Sequence, residues 1–178
     1  MHRLFVAIRP PEEVRELLLD LMEGVPDVRW QEDEQLHLTL HFIGEVERPV
    51  AEDIATALGQ IRFERFILSL DGVGKFEKHR NGAIWAGVQP RDQLKALHAK
   101  VERACQSVGL EPERRAYHPH ITLARWKGRA PGLGHFMERH GSLSAPSWNV
   151  TEFTLYESRL SRNGAHYEPV ARFPLGAE

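Results

Sequence analysis

Disulfides, long apolar runs and a surplus of either charge are all missing from this chain. Its one cysteine, Cys105, excludes an internal disulfide framework and points to a reducing, cytoplasmic setting. Cys105 falls among apolar neighbours in an expected helix, so it reads as a buried thiol rather than a nucleophile. No stretch approaches the roughly 20 apolar residues of a membrane span. The apolar run at residues 4–8 is also shorter than the roughly 7–15-residue core of a signal peptide. With 23 Lys+Arg against 25 Asp+Glu, the net charge of −2 argues against a bulk nucleic-acid coat but leaves room for a local basic site. What remains is ordinary for a folded protein: 178 residues, 42% hydrophobic and 27% charged, the size of one domain that needs no metal or disulfide as a staple.

The hydrophobic pattern predicts an α+β chain. Residues 4–8 form a buried strand ended by Pro10-Pro11, and Val14, Leu17, Leu18 and Leu21 then keep the i, i+3, i+4, i+7 spacing of a helix over residues 11–23. Residues 36–43 alternate, with Leu36, Leu38, Leu40 and Phe42 on one face and His37, Thr39 and His41 on the other. Pro49 opens a second helix to about Gln60; strands follow at 63–76 and 83–89, with Asn81-Gly82 as the turn between them. From Asp92 to Val108, Leu94, Leu97, His98, Val101, Cys105 and Val108 trace one helical stripe. Residues 117–124 alternate again, and Tyr117, Pro119, Ile121 and Leu123 oppose His118, His120, Thr122 and Ala124. The stretch 128–146 reads as a loop with one helical turn, and two last strands near 147–157 and 166–173 flank Asn163-Gly164.

The chain repeats itself. Ile8, Pro10, Val14, Leu17 and Leu21 match Val88, Pro90, Leu94, Leu97 and Val101 at an offset of 80, and His37-Leu38-Thr39-Leu40 matches His120-Ile121-Thr122-Leu123 at an offset of 83. Two different elements in the same order at nearly equal offsets imply a duplicated half, about 3–43 and 83–124, within a single domain spanning 1–178. Two lobes related by a pseudo-twofold would place a ligand site where they meet.

H-x-T is the motif that carries chemistry. Ten His and five Thr scattered at random would produce it roughly 0.3 times, yet it occurs twice, at equivalent points of the repeat. One copy alone is most simply the polar side of an antiparallel strand; a matched pair is harder to explain that way. Residues two apart on a strand point the same way, so each His stands beside its Thr hydroxyl. Two imidazoles can divide the labour of base and acid near neutrality, and the hydroxyls can donate to anionic oxygens. The arrangement suits in-line attack on a phosphodiester. Five cations and no acid lie between Arg114 and Arg129, and Arg125, three residues past Thr122, is the one placed to clamp a phosphate.

These residues resemble the 2H phosphoesterase superfamily, whose members carry two H-x-T-x motifs in a duplicated, bilobal α+β fold: two antiparallel-sheet and helix lobes about a pseudo-twofold, with the active site in the cleft between them. Within it the chain is similar to the RNA 2′,3′-cyclic phosphodiesterases, also called 2′-5′ RNA ligases. The resemblance runs through residues 3–8, 36–44, 118–125, 155–160 and 167–175. It implies hydrolysis of an RNA terminal 2′,3′-cyclic phosphate to a 2′-phosphate without metal or other cofactor. His37 would be the acid, His120 the base, Thr39 and Thr122 the holders of the non-bridging oxygens, and Arg125 a phosphate ligand. Nothing in the spacing itself separates acid from base. The implied partner is an RNA or oligonucleotide with a cyclic phosphate end, met by a cytoplasmic monomer that needs no membrane and no protein partner.

Two other readings compete. Four imidazoles, His37, His41, His118 and His120, could surround a zinc ion in a metal-dependent phosphodiesterase, which chelator would inhibit. Alternatively Trp30, Trp85, Trp126 and Tyr117 could stack bases in a non-catalytic module that binds RNA ends without turnover. Ligation to a 2′-5′ linkage is the reverse of a related reaction, and hydrolysis is the safer expectation in dilute solution.

Overall fold

A computed structural model describes residues 1–162 and 164–176. The chain runs β1 (His2–Ile8), α1 (Glu12–Asp20), β2 (Arg29–Trp30), a 3₁₀ turn (Asp33–Gln35), β3 (Leu38–Val46), α2 (Arg48–Leu58), β4 (Phe66–Lys78) and β5 (Asn81–Gln89). It continues through α3 (Arg91–Ser107), β6 (Ile121–Lys127), α4 (Leu133–His140), β7 (Trp148–Val150), β8 (Glu152–Ser161) and β9 (Gly164–Pro174). No described helix is long and apolar enough to cross a membrane.

The sheet is antiparallel throughout the recorded pairs and ordered β7-β4-β5-β6-β3-β1-β8-β9, with β2 added beside β6. The order is symmetric about the β6–β3 seam: each side holds four strands, and β1 and β5 lie one strand away from it. The two lobes also exchange strands. The first half's α2 leads into β4, which pairs with β5 in the second lobe, and the second half's α4 leads to β8, which pairs with β1 in the first. Leu94, Leu97, Val101 and Cys105 of α3, with Val14 and Leu18 of α1, seal one face of the sheet into a single core. Burial pushes the Cys105 thiol up to about 11, so it stays protonated, as the apolar stripe implied.

Three local expectations are corrected. The β4–β5 hairpin turns at His79 and Arg80, because Lys78 pairs with Asn81, and His79 takes the left-handed φ of 59°. Gly82 lies inside β5 instead, opposite Trp126, whose ring occupies the space a Cβ would need. Residues 133–140 form a two-turn helix rather than a single turn, since Leu133 and Phe136 bury one side of it. The third correction is a pair of β-bulges. Val6 pairs with His41 and Ala7 with Thr39, leaving Leu40 extra; Ile84 pairs with Ala124 and Trp85 with Thr122, leaving Leu123 extra. A bulge turns the strand's alternation over. Leu40 and His41 are therefore both buried, as are Leu123 and Ala124, whereas Phe42, expected in the core, is 52% exposed. The two bulges fall at equivalent places in the two H-x-T motifs. The expected turn at Asn163-Gly164 includes a residue outside those described.

Candidate active site

The lobes meet where Leu38 of β3 pairs with Ile121 of β6, the one pair registered between these strands. Both side chains are fully buried, so their strand neighbours point to the opposite face. His37 and His120 each lie one residue before their strand begins; continuing the register past that pair would set His37 across from Thr122 and Thr39 across from His120. A regular ladder would then place the two histidines on one diagonal of a square and the two threonines on the other, with diagonal Cβ atoms roughly 7–8 Å apart.

A cavity of about 290 Å³ opens on this face. His37, Thr39, Thr122 and Arg125 line it together with Arg3, Phe5, Phe42, Gln31, Gln35 and Tyr167. The cavity stops short of His120, which sits half-buried at its margin, two residues from Thr122. The bulges matter here. Turning the strands over after Leu40 and Leu123 brings Phe42 and Arg125, equivalent residues of the two halves, out to the cavity wall. Arg3 lies over the Phe42 ring at 5.3 Å, adding a second guanidinium.

Each histidine is held by aromatics of its own lobe. The His37 ring meets Tyr156 at 4.6 Å, Tyr167 at 5.3 Å and Phe5 at 6.0 Å, all edge-on. His120 meets Phe76 at 5.0 Å and Trp85 at 6.1 Å. Trp85 can lie there because Gly74, opposite it on β4, leaves room for the indole. Phe5 and Trp85 are separated by the repeat offset of 80, the one signal in the sequence that could have nominated both.

The two imidazoles differ in hydrogen bonding. His120 Nδ1 lies 2.6 Å from the His118 carbonyl, which only accepts, so Nδ1 carries the proton and Nε2 keeps its lone pair. Burial lowers the His120 pKa, opposed by that carbonyl. His37 is only 7% exposed. Burial first, and then the positive field of Arg9, push its pKa down to about 4, against the Gln35 carbonyl, which favours the protonated ring. Its Nδ1 is enclosed without a hydrogen bond of regular geometry. Arg9 also fixes the approach to His37: it donates to the Asp33 and Leu36 carbonyls at 2.7 and 2.8 Å, and Arg15 binds the Asp33 carboxylate at 2.9 Å.

A clamp from the second lobe holds the first motif. The Tyr117 hydroxyl donates to the Thr39 carbonyl at 2.8 Å, and His98 Nδ1 donates to the Leu40 carbonyl at 2.6 Å. The His98 and Tyr117 rings stack at 4.1 Å and 6°. Both carbonyls flank the bulge, where the ladder leaves acceptors without regular partners. The helical stripe placed His98 on α3, but no pattern in sequence reveals what it bonds.

The four-imidazole metal arrangement does not form. The bulge turns His41 to the buried side, beside His98 at 6.0 Å between ring centres, while His118 is exposed against Phe76 and Trp85. Among the described residues no group of three or more His, Cys, Asp or Glu could hold a metal ion. Nor do the named aromatics make an open stacking surface: Trp126 is buried, Trp30 packs on Phe136, and Tyr117 serves the clamp.

The family model described as the 2′-5′ RNA ligase superfamily matches residues 29–162, three quarters of the sequence and both H-x-T motifs. The chain belongs to this superfamily. Among curated relatives, the RNA 2′,3′-cyclic phosphodiesterase of Aeropyrum pernix is 41% identical over 149 residues, covering 82% of this chain and 84% of that protein. The one from Escherichia coli K12 is 33% identical over 183 residues, covering 97% and 96%. The solved structure of E. coli LigT in its apo form superposes with a TM-score of 0.82 at 32% identity, covering 99% of this chain and 98% of that one. Thermus thermophilus TT0787 gives 0.80 at 28% identity, covering 99% of both. The chain is an enzyme of this superfamily with the 2H phosphoesterase fold.

Proposed function

We infer that the chain hydrolyses a ribose 2′,3′-cyclic phosphate at the end of an RNA, leaving a 2′-phosphate, with His120 as general base and His37 as general acid. The observation that carries this reading is the Leu38–Ile121 pair, which brings the two H-x-T motifs together beside one cavity lined by His37, Thr39 and Thr122, with His120 at its margin. The relatives named above act, by their names, on this bond. E. coli LigT also has a solved complex with 3′-AMP.

The chemistry runs as follows. His120 Nε2 takes a proton from water as the water oxygen forms its bond to phosphorus, while Nδ1 stays anchored on the His118 carbonyl. The P–O3′ bond breaks on the opposite side, and His37 gives its proton to O3′. Thr39 and Thr122 donate to the non-bridging oxygens where charge builds, and Arg125 neutralises the phosphate. His37 carries its proton only once the anionic phosphate is bound, because burial and Arg9 keep the free ring neutral. No step uses a metal ion or other cofactor.

This is one catalytic unit, residues 1–178, with the repeat at about 3–43 and 83–124, acting as a cytoplasmic monomer on RNA or oligonucleotide ends. A site assembled by two halves of one chain needs no second copy. The test is conversion of an RNA bearing a 2′,3′-cyclic phosphate, with the product end identified by mass and by resistance to a 3′-specific phosphatase.

A further inference from the structure

A like-charged pair at the cavity rim carries an inference about substrate length. Arg29 of β2 stands directly opposite Arg125 of β6. Directly opposed residues share a face with Cβ atoms about 5 Å apart, and like charges so placed repel. Both residues are exposed, and among the described residues neither has an acidic partner. The acids of the neighbouring loop are engaged elsewhere: Asp33 with Arg9 and Arg15, Glu34 with His166 and the Tyr167 amide. The position of Arg29 is nevertheless built. Its guanidinium lies against Gly164, where a Cβ would come within 2.7 Å of one terminal nitrogen and 3.6 Å of the Gln35 amide nitrogen. Gln35 in turn donates to the Ala165 carbonyl at 3.2 Å, and both residues line the cavity. The structure thus seats an uncompensated cation one strand beyond Arg125, on the side of the cavity away from His120.

We propose that Arg29 binds the phosphodiester on the 5′ side of the terminal nucleotide, with Arg125 reaching between it and the cyclic phosphate, so that the enzyme prefers an RNA end of two or more nucleotides to a cyclic mononucleotide. This rests on the cyclic-phosphate reading above. Allowing for the bulge, Arg125 stands two ladder positions from Thr122, about 7 Å along the strand. A cyclic phosphate on Thr122 therefore leaves the next phosphate of the chain beside the Arg29–Arg125 pair. Two guanidiniums repelling each other across a ladder gain most from an anion that both can bind.

The experiment compares wild type and Arg29→Gln on three substrates: a nucleoside 2′,3′-cyclic phosphate without a 5′-phosphate, a dinucleotide ending in the same group, and that dinucleotide with a neutral methylphosphonate linkage. Arg29→Gln should lower kcat/KM about tenfold on the dinucleotide, through KM, and flatten the dependence of log(kcat/KM) on log salt by about one. The mononucleotide and the methylphosphonate should respond to the substitution by less than twofold. Arg29→Lys should recover part of the loss, since it restores charge without the planar fork. An equal loss on all three substrates would show that Arg29 shapes the catalytic pocket, and no loss on the dinucleotide would show that it binds no phosphate; either overturns the proposal. Wild-type inactivity on every substrate would instead overturn the hydrolase reading beneath it.

Discussion

Replacing His37 with glutamine should remove a specific part of the protein's pH-dependent stability. His37 has its pKa lowered from 6.5 to about 4, because its ring is sealed under Phe5, Tyr156 and Tyr167 and stands in the field of Arg9. The unfolded chain binds this proton more tightly than the folded one, so protons favour unfolding. The contribution is fully present above pH 6.5, is lost as pH falls, and levels off below the folded value. At 1.36 kcal/mol per unit, the full span is worth about 3 kcal/mol, and most of it is gone near pH 4.5 relative to pH 7.5. Glutamine does not titrate, so the stability of wild type minus that of His37→Gln should fall by about that amount over this range. Other groups titrate in both proteins and cancel. Urea denaturation at several pH values, with equal m-values checked at each, supplies the numbers. Parallel profiles for the two proteins would mean that His37 titrates like a solvated histidine, and the argument that it is neutral until an anion binds would fail. The same argument gives a kinetic sign: the limb set by protonation of His37 should lie at higher pH in kcat than in kcat/KM, because bound phosphate raises its pKa.

Four further outcomes follow from the geometry. His37→Ala and His120→Ala should each lower kcat on a cyclic phosphate by about 10²–10⁴-fold with near-native circular dichroism; near-normal turnover in either would remove it from the mechanism. Thr39→Ala and Thr122→Ala should cost less, and Arg125→Ala should act chiefly on KM, as steady-state kinetics will show. Tyr117→Phe strands the Thr39 carbonyl, costing about 1–3 kcal/mol of stability by denaturant titration, with a lower kcat because Thr39 loses its anchor. Gly82→Ala and Gly74→Ala both drive a Cβ into an indole, and both should destabilise. Only Gly74→Ala should also slow catalysis, since Trp85 lies against His120 and Trp126 does not line the cavity.

The sequence disclosed the paired H-x-T motifs more fully than the geometry around them. Alternation and the repeat nominate His37, Thr39, His120 and Thr122, although each histidine lies one residue before its strand begins. Period-2 logic cannot register one inserted residue, however, so it carried Phe42 to the core and His41 to the cleft, the reverse of what the Leu40 bulge does. The same bulge in the second motif is what brings Arg125 to the wall beside Thr122. Asn81-Gly82 carried a strong turn signal, yet its glycine is required by the Trp126 ring and the turn moved two residues earlier. β2 is two residues long, too short for any pattern, although it places Arg29. The clamp of Tyr117 and His98 joins elements far apart in the chain, and only tertiary structure reveals such contacts.

The most direct test of the central claim is the end group formed when a short RNA with a 2′,3′-cyclic phosphate is incubated with the protein in excess EDTA. The two-histidine account predicts full conversion to a 2′-phosphate, refractory to a 3′-specific phosphatase. Formation of a 3′-phosphate, or conversion only after Zn²⁺ or Mn²⁺ is restored, would contradict it.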